Sequence, residues 1–424
     1  MASENCPPPD DASELSVWAR KPRTTSKRKP LRWRRVLAGL AAGGAVMLGL
    51  LWFAAHRVPW VGSALADGLR SVVGVEAVTA LEDFAYGLQD RAALAWRGDE
   101  APKAYWVVPP QIELPASTQV KGCELPTFRP ADVGPVHAHF EAPGDGVWVP
   151  MDDRVDPGAT PRMFKTLLHP DPKRSWAAVS LVAIDLRQVE LHLRAGRHEP
   201  KASTAEGRRA ERTGLIPRAH QTLLLAAFNG GFKAQHGHWG MMVDGVTLLP
   251  ARKGACVVGQ RDDGRVVIGP IADLEATLGE MRWWRQTPDC MLDDGELHVG
   301  LRSEKNTYWG ATLKGETVIR RSAIGISADG QTLYSGIGDH TTARAIATAM
   351  KHAGAAHVAQ LDVNWSYPKF VVYRDGSDGQ PEATKLCEGF EFSPDEYVRL
   401  VASRDFFYLT RRDDETVKQL VCGD

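Results

Sequence analysis

From about residue 134 the apolar positions fall in short β-rich runs separated by polar turns, the texture of a sheet protein rather than a helical bundle. "WAAVSLVAID" (176–185) and "VELHLRAG" (189–196) flank a short polar turn and are expected to pair. "CVVGQRDDGRVVIGP", "CMLDDGELHVG" and "AIGISADGQTLYSGIG" each fold around an Asp-Gly step, at Asp263-Gly264, Asp294-Gly295 and Asp329-Gly330. Such a step between β-rich runs predicts a hairpin, because both residues accept positive φ at low cost. The clearest helix is "TTARAIATAMKHAG" (341–354), opened by a Thr cap and closed by Gly354, with Ala345, Ile346, Ala349 and Met350 on its apolar face. It leads into "AHVAQLDV", a buried strand that reaches Asp362. The charged stretch 197–218 reads as a mobile surface insert. The pattern predicts an α+β fold, a mainly antiparallel sheet with few helices, preceded by one N-terminal transmembrane helix.

That last element comes from "VLAGLAAGGAVMLGLLWFAA" (36–55), twenty residues without a charge. At ~1.5 Å rise per residue such a helix spans a hydrocarbon core of about 30 Å. Trp33 and Trp52 lie near its ends, where amphipathic rings favour the interface. The formal net charge of −1 hides a polar asymmetry: the first 35 residues carry 9 basic and 4 acidic groups, leaving 42 against 48 in the rest. A polybasic start alone suggests nucleic acid. Placed directly before an apolar span it instead marks the cytoplasmic side of a membrane, so no nucleic-acid partner is expected. The rival reading, a cleaved signal peptide, has a shorter apolar core and a shorter leader.

The expected order is a basic cytoplasmic tail (1–35), the span (36–55), a helical stalk with a Pro-rich linker (56–133) and the main domain (134–424). That domain would lie in the periplasm or outside the cell. The 62–96 stretch has apolar residues near helical spacing, whether as a free stalk or as a helix docked on the main domain. Of the six cysteines, Cys6 is expected in the cytoplasm and five outside. Five cannot all pair within one chain, and no connectivity is readable from spacing.

Candidate chemistry gathers in "LLLAAFNGGFKAQHGHWGMMVDG" (223–245), an apolar strand delivering Asn229-Gly230-Gly231 into a polar loop. A Gly pair after a strand is most often only a turn, but it can also bring backbone amides to an anionic ligand. His236 and His238 read as solvated loop residues, or more sharply as a metal pair. Asp244 reads as a turn residue, and Asp339, in "GDHTTAR", as a helix cap or as a site carboxylate beside His340.

Together, "AAFNGGF", "GMMVDG", "RSAIGISADG" and "AAHVAQLD" resemble, in order and spacing, the phosphodiester glycosidase family. Its animal member removes N-acetylglucosamine from a phosphodiester to uncover mannose 6-phosphate, and bacterial members are associated with exopolysaccharide. The resemblance runs from about 134 to 404. It implies that Asn229, Gly230, Gly231 and Phe232 form the Asn-Gly-Gly-Phe loop and that Asp244 lies in the following Asp-Gly turn. It also implies that Arg321 precedes the Ala-Ile-Gly strand and that Asp362 is the Asp of the late Leu-Asp motif. Family members continue Leu-Asp-Gly-Gly-Gly-Ser, whereas this chain reads Leu361-Asp362-Val363-Asn364-Trp365-Ser366. Side chains then fill space a glycine loop leaves open. Either the substrate has changed, with Trp365 stacking on a sugar, or catalysis has been lost.

The residues allow a mechanism. Arg321 is a fork suited to phosphodiester oxygens. Asp362 is the candidate base or nucleophile, or a holder of a divalent cation. A glycosidase needs two carboxyls, one of them protonated, and Asp244 and Asp339 are candidates for the second, with His340 as proton shuttle. His238 and Ser366 complete the expected substrate contacts. The reading is an anchored, exported hydrolase of a sugar–phosphate diester in an envelope or exopolysaccharide glycan. The alternative is a catalytically degenerate glycan-binding or envelope-scaffolding protein.

Overall fold

The computed structural model describes residues 75–98, 100–110, 113–302, 309, 317–364 and 366–423, with six scattered residues between 39 and 47. They belong to two units, Met1–Gly68 and Leu69–Asp424, and all the sheets lie in the second. The span expected at 36–55 lies mostly outside the described residues, as does Trp365. No described helix is long and apolar enough to cross a membrane.

Among the described residues every pairing of named strands is antiparallel, in a fold of many strands and few helices. The largest sheet has eight strands, and its centre runs in the order His357–Val363, Ile319–Ile326, Thr332–Thr341, Val179–Asp185, Met163–Leu168. A second, five-stranded sheet has the order Pro381–Lys385, Phe370–Asp375, Leu224–Asn229, Phe406–Arg411, Val189–Arg194. A third, also five-stranded, is built around Cys256–Arg261 and Met281–Thr287. One face of the large sheet, through Val182, Ile184, Ile324 and Leu361, shares a core with Leu191, Phe228 and Phe407 of the second sheet and Val258 and Trp283 of the third. Its other face, through Leu181, Ala323 and Val358, packs on the helix Ala343–His352. Thr342 caps that helix, its Oγ1 accepting from Ala345 N at 3.0 Å.

The Asp-Gly hairpins at 263, 294 and 329 form as expected. At Asp294-Gly295 both residues take positive φ, 47° and 75°, which a two-residue hairpin turn of this kind requires. The pairing expected between 176–185 and 189–196 does not form. Val179–Asp185 is buried on both faces and takes Met163–Leu168 and Thr332–Thr341 as its neighbours, whereas Val189–Arg194 pairs with Phe406–Arg411. The turn, closed by Gln188 N donating to Asp185 O at 3.1 Å, passes the chain from one sheet to the next. A central strand needs a partner along each edge, and hairpin neighbours in sequence do not have to supply them.

The 197–218 stretch is not a loose insert. It holds the helix Ala205–Arg209, capped by Thr204, and Glu199 Oε2 accepts from Ala234 N at 3.0 Å. The helix Val75–Arg97 is docked rather than free, with Asp90 bound to Arg174 at 2.7 and 2.6 Å. Disulfides join Cys123 to Cys422 and Cys256 to Cys290, and Cys387 is free and buried.

Candidate functional site

The Asn-Gly-Gly-Phe loop follows the buried strand Leu224–Asn229 and turns beneath the large sheet. Asn229 is fully buried; its Nδ2 donates to Ser322 Oγ at 2.8 Å, and its Oδ1 accepts from Lys369 N at 3.1 Å. Ser322 Oγ in turn donates to the Asp362 carbonyl at 3.0 Å, and Asp362 N donates to Gly230 O at 3.1 Å. Asn229, Gly230 and Asp362 are therefore one hydrogen-bonded unit linking two sheets.

The two glycines serve internal packing. A Cβ on Gly230 would lie 2.4 Å from Asp405 Oδ2 and 2.5 Å from its carbonyl, and one on Gly231 would lie 2.9 Å from the Arg285 guanidinium. Gly231 N and Arg285 Nε both donate to Asp405 Oδ2, at 2.8 and 2.9 Å, and Arg285 also bonds the Phe232 carbonyl at 2.6 Å. Arg285 and Asp405 are at most 1% exposed. A buried pair of this kind holds only because further hydrogen bonds satisfy both groups.

Asp362 is 1% exposed and ion-paired with Arg404 NH1 at 2.5 Å. The Arg404 guanidinium stacks 4.1 Å above the Tyr367 ring, and Tyr367 donates its hydroxyl to the Asp405 carbonyl at 3.0 Å. Burial pushes the Asp362 carboxyl up to about 6; Arg404 opposes this and nearby Asp405 adds to it. With a guanidinium on its carboxylate, Asp362 does not fit a divalent-cation ligand. Among the described residues no group of three or more His, Cys, Asp or Glu has metal-binding geometry.

Arg321 does not join this unit. Its guanidinium is buried and donates to the carbonyls of Trp309 (2.8 Å), Thr317 (2.9 Å) and Thr341 (3.3 Å) and to Gln360 Oε1 (2.9 Å). Successive side chains of a strand point to opposite faces, so Ser322 reaches Asn229 while Arg321 faces away. Its neighbour Arg320 lies beside Asp339 instead, Nε to Oδ1 at 3.5 Å, and stacks 4.5 Å from the Phe390 ring. The other oxygen of Asp339 is 3.4 Å from His340 Nδ1. Burial pushes the Asp339 carboxyl up, but His340 and Arg320 outweigh it, so it ends below its ordinary value. Asp339 does not cap the helix, since Thr342 does. His340 holds φ at 51°, a conformation a non-glycine residue keeps only when its surroundings enforce it.

Two residues after Asp362, Asn364 N donates to the Arg320 carbonyl at 3.2 Å. Its Oδ1 accepts from Ser366 N (3.0 Å) and Oγ (3.2 Å), so a side-chain-closed turn stands where the resembled family has glycines. His238 is exposed with φ 52°, and Asp244 sits in a hairpin turn bonded to Arg194 at 2.8 Å. Neither has a bond to the Asp362 or Asp339 group. Arg320, Ser322, Tyr367, Arg404 and Asp405 were not singled out in sequence. Strand alternation around Arg320-Arg321, and the charged pair Arg404-Asp405 just before the buried strand Phe406–Arg411, were the available signals.

No family model and no curated protein matches the chain. Among solved structures, it is similar to the catalytic domain of zebrafish N-acetylglucosamine-1-phosphodiester alpha-N-acetylglucosaminidase, auto-inhibited by its pro-peptide. That match has 17% identity over 62% of this chain and 87% of the other, at a TM-score of 0.38. A hypothetical protein from Synechocystis matches at 10% identity over 56% of this chain and 59% of its own, with a TM-score of 0.28. A putative exported protein from Burkholderia pseudomallei matches at 11% over 55% and 74%, with a TM-score of 0.27.

Proposed function

We propose that the chain is a membrane-anchored, exported hydrolase that cleaves a sugar–phosphate diester in a cell-envelope or exopolysaccharide glycan. The observation that carries the reading is a pair of unlike carboxyls on the two strands that flank Ile319–Ile326. Asp362 is pushed up to about 6 and Asp339 is held below its ordinary value. Environments that drive two carboxyls apart define an acid and a base or nucleophile. Asp362 takes the role of proton donor to the leaving oxygen. Asp339, kept ionised by Arg320 and His340, activates water or attacks the anomeric carbon. Anchoring rests on the uncharged 36–55 span behind a basic tail.

Incubating the full chain in detergent with a panel of sugar-1-phosphodiesters tests this. Release of free sugar, abolished in Asp362→Asn and in Asp339→Asn, supports it. Absence of turnover across the panel overturns it. A second reading, a degenerate glycan receptor, draws on the burial of Asp362 beneath Arg404 and on Val363 and Asn364 in place of glycines. It is the outcome if the same ligands bind but are never cleaved.

A further inference from the structure

The helix Val75–Arg97 turns its charged side to the protein and an apolar side outward. Tyr86, Asp90, Ala93, Leu94 and Arg97 fall within about 100° of the circumference at 3.6 residues per turn, and all are half-buried. Two of them make the attachment: Asp90 pairs with Arg174, and the Arg97 guanidinium stacks 5.1 Å from the centroid of the Trp176 ring. Just beyond the helix, Ser175 Oγ donates to the Glu100 carbonyl. The opposite side, over about 120°, carries Phe84, Ala85, Leu88, Ala92, Ala95 and Trp96, all exposed and none charged. Phe84 is 63% exposed, Leu88 54% and Trp96 92%. Gln89 and Arg91 border the stripe, which runs about 18 Å along the axis. A helix on a soluble protein ordinarily points the other way, and a contiguous exposed apolar stripe marks a surface that meets something.

Area and tether choose the occupant. A stable protein–protein interface draws on about 20–30 residues a side. The stripe offers six, three of them alanines, too few to hold a second copy by themselves. The uncharged run 36–55 ends 19 residues ahead of Val75, and a chain of that length spans at most about 70 Å. A face tethered that close to a bilayer meets lipid at high effective concentration and needs little affinity of its own. The composition fits the same surface. Phe84 and Leu88 supply apolar side chains, Trp96 an amphipathic ring suited to the headgroup level, and Arg91 a basic chain that reaches lipid phosphates from the flank.

We propose that the Phe84–Leu88–Trp96 face of this helix lies in the bilayer interface, so that the folded unit rests on a lipid surface along one defined side. The proposal goes beyond hydrolysis and rests on the anchoring part of that reading for its tether. The test uses the full chain reconstituted in phosphatidylcholine vesicles, with Cys6→Ser and one new cysteine carrying an environment-sensitive NBD fluorophore; Cys387, being buried, takes no label in the folded chain. Ala92→Cys puts the probe in the middle of the stripe and keeps all three large side chains. Asp263→Cys puts it on an exposed hairpin turn past the far end of Val179–Asp185, where Arg412 joins Gly264 to Gln188. Phosphatidylcholine bearing a shallow doxyl quencher should remove roughly half or more of the Ala92→Cys emission and less than about a tenth of the Asp263→Cys emission. Phe84→Ser, Leu88→Ser and Trp96→Ser together should bring the first probe down to the level of the second. If that triple variant does not fold, Leu88→Glu alone carries the comparison.

An Ala92→Cys probe that doxyl lipid leaves unquenched overturns the proposal. A probe that is blue-shifted but unquenched, with energy transfer between labelled copies, gives the face to a second copy and overturns it as well. Extraction with alkaline carbonate separates this proposal from the anchor. A chain that resists extraction with its probe unquenched keeps the anchor and loses the interfacial face. A chain that is quenched on the vesicle yet stripped off by carbonate keeps the face and loses the anchor.

Discussion

At Asp362, burial and the ion pair with Arg404 act in opposite directions, and burial prevails: the carboxyl sits at about 6. As a general acid it is active only when protonated. We therefore expect a bell-shaped kcat/KM on a sugar-1-phosphodiester, level up to about pH 6 and falling about tenfold per unit above it as Asp362 ionises. It should also fall in acid, below the ordinary carboxylate range, as Asp339 takes up a proton. A rate that instead rises through pH 6 would reverse the assignment of acid and base between Asp362 and Asp339. Gly230 tests packing alone. Its Cβ position lies 2.4–2.7 Å from the Asp405 carboxylate and backbone, so Gly230→Ala should lower stability by about 1–3 kcal/mol through forced shifts. A lower urea midpoint with an unchanged slope would show it; an unchanged midpoint would mean the loop has room to yield. The sequence made the Asn-Gly-Gly step visible but not its reason. The glycines admit Asp405 and Arg285, which lie 174 and 53 positions away from the loop residues they bond. No local pattern carries such a pairing.

At the level of elements, Thr342 and Asp339 separate capping from chemistry. Thr342→Ala removes the bond to Ala345 N and should cost about 1 kcal/mol of stability with turnover intact. Asp339→Asn leaves the cap in place and should abolish turnover at little cost in stability. Thermal unfolding beside a rate assay reads both, and equal losses of activity in the two variants would make Asp339 a structural residue. The hairpins were legible because Asp-Gly turns are a local preference, and so was the 341–354 helix with its Thr cap. The partners of Val179–Asp185 were not, because a strand buried on both faces shows no alternation to indicate its sheet. The faces of Arg320 and Arg321 turn on the same point. The register shifts beside Arg321 put the extra residue on the partner strands, between 338 and 341 and between 360 and 363, so only the assembled sheet shows which arginine meets Asp339.

For the whole molecule the proposed export is a question of compartment, and counting labelled cysteines tests it. Four are paired: Cys123 with Cys422, 299 positions apart, and Cys256 with Cys290. Cys387 is free, and Cys6 lies within the basic 1–35 tail. Disulfides form and persist outside the reducing cytoplasm, and the longer one constrains nearly the whole folded unit in its unfolded state, worth on the order of 5 kcal/mol in the chain-entropy account. If 36–55 is an uncleaved anchor with its N-terminus inside, chain isolated from membranes, denatured without reduction and alkylated should take up label at Cys6 and Cys387 alone. Cleavage just after the span removes Cys6 and leaves Cys387 as the only labelled site. A chain kept in the cytoplasm should label at all six cysteines. An alkaline phosphatase reporter fused after Asp424 gives an independent reading: activity is expected for the anchored and the cleaved chain, and a silent reporter with six labelled thiols would refute export and, with it, an envelope glycan as substrate.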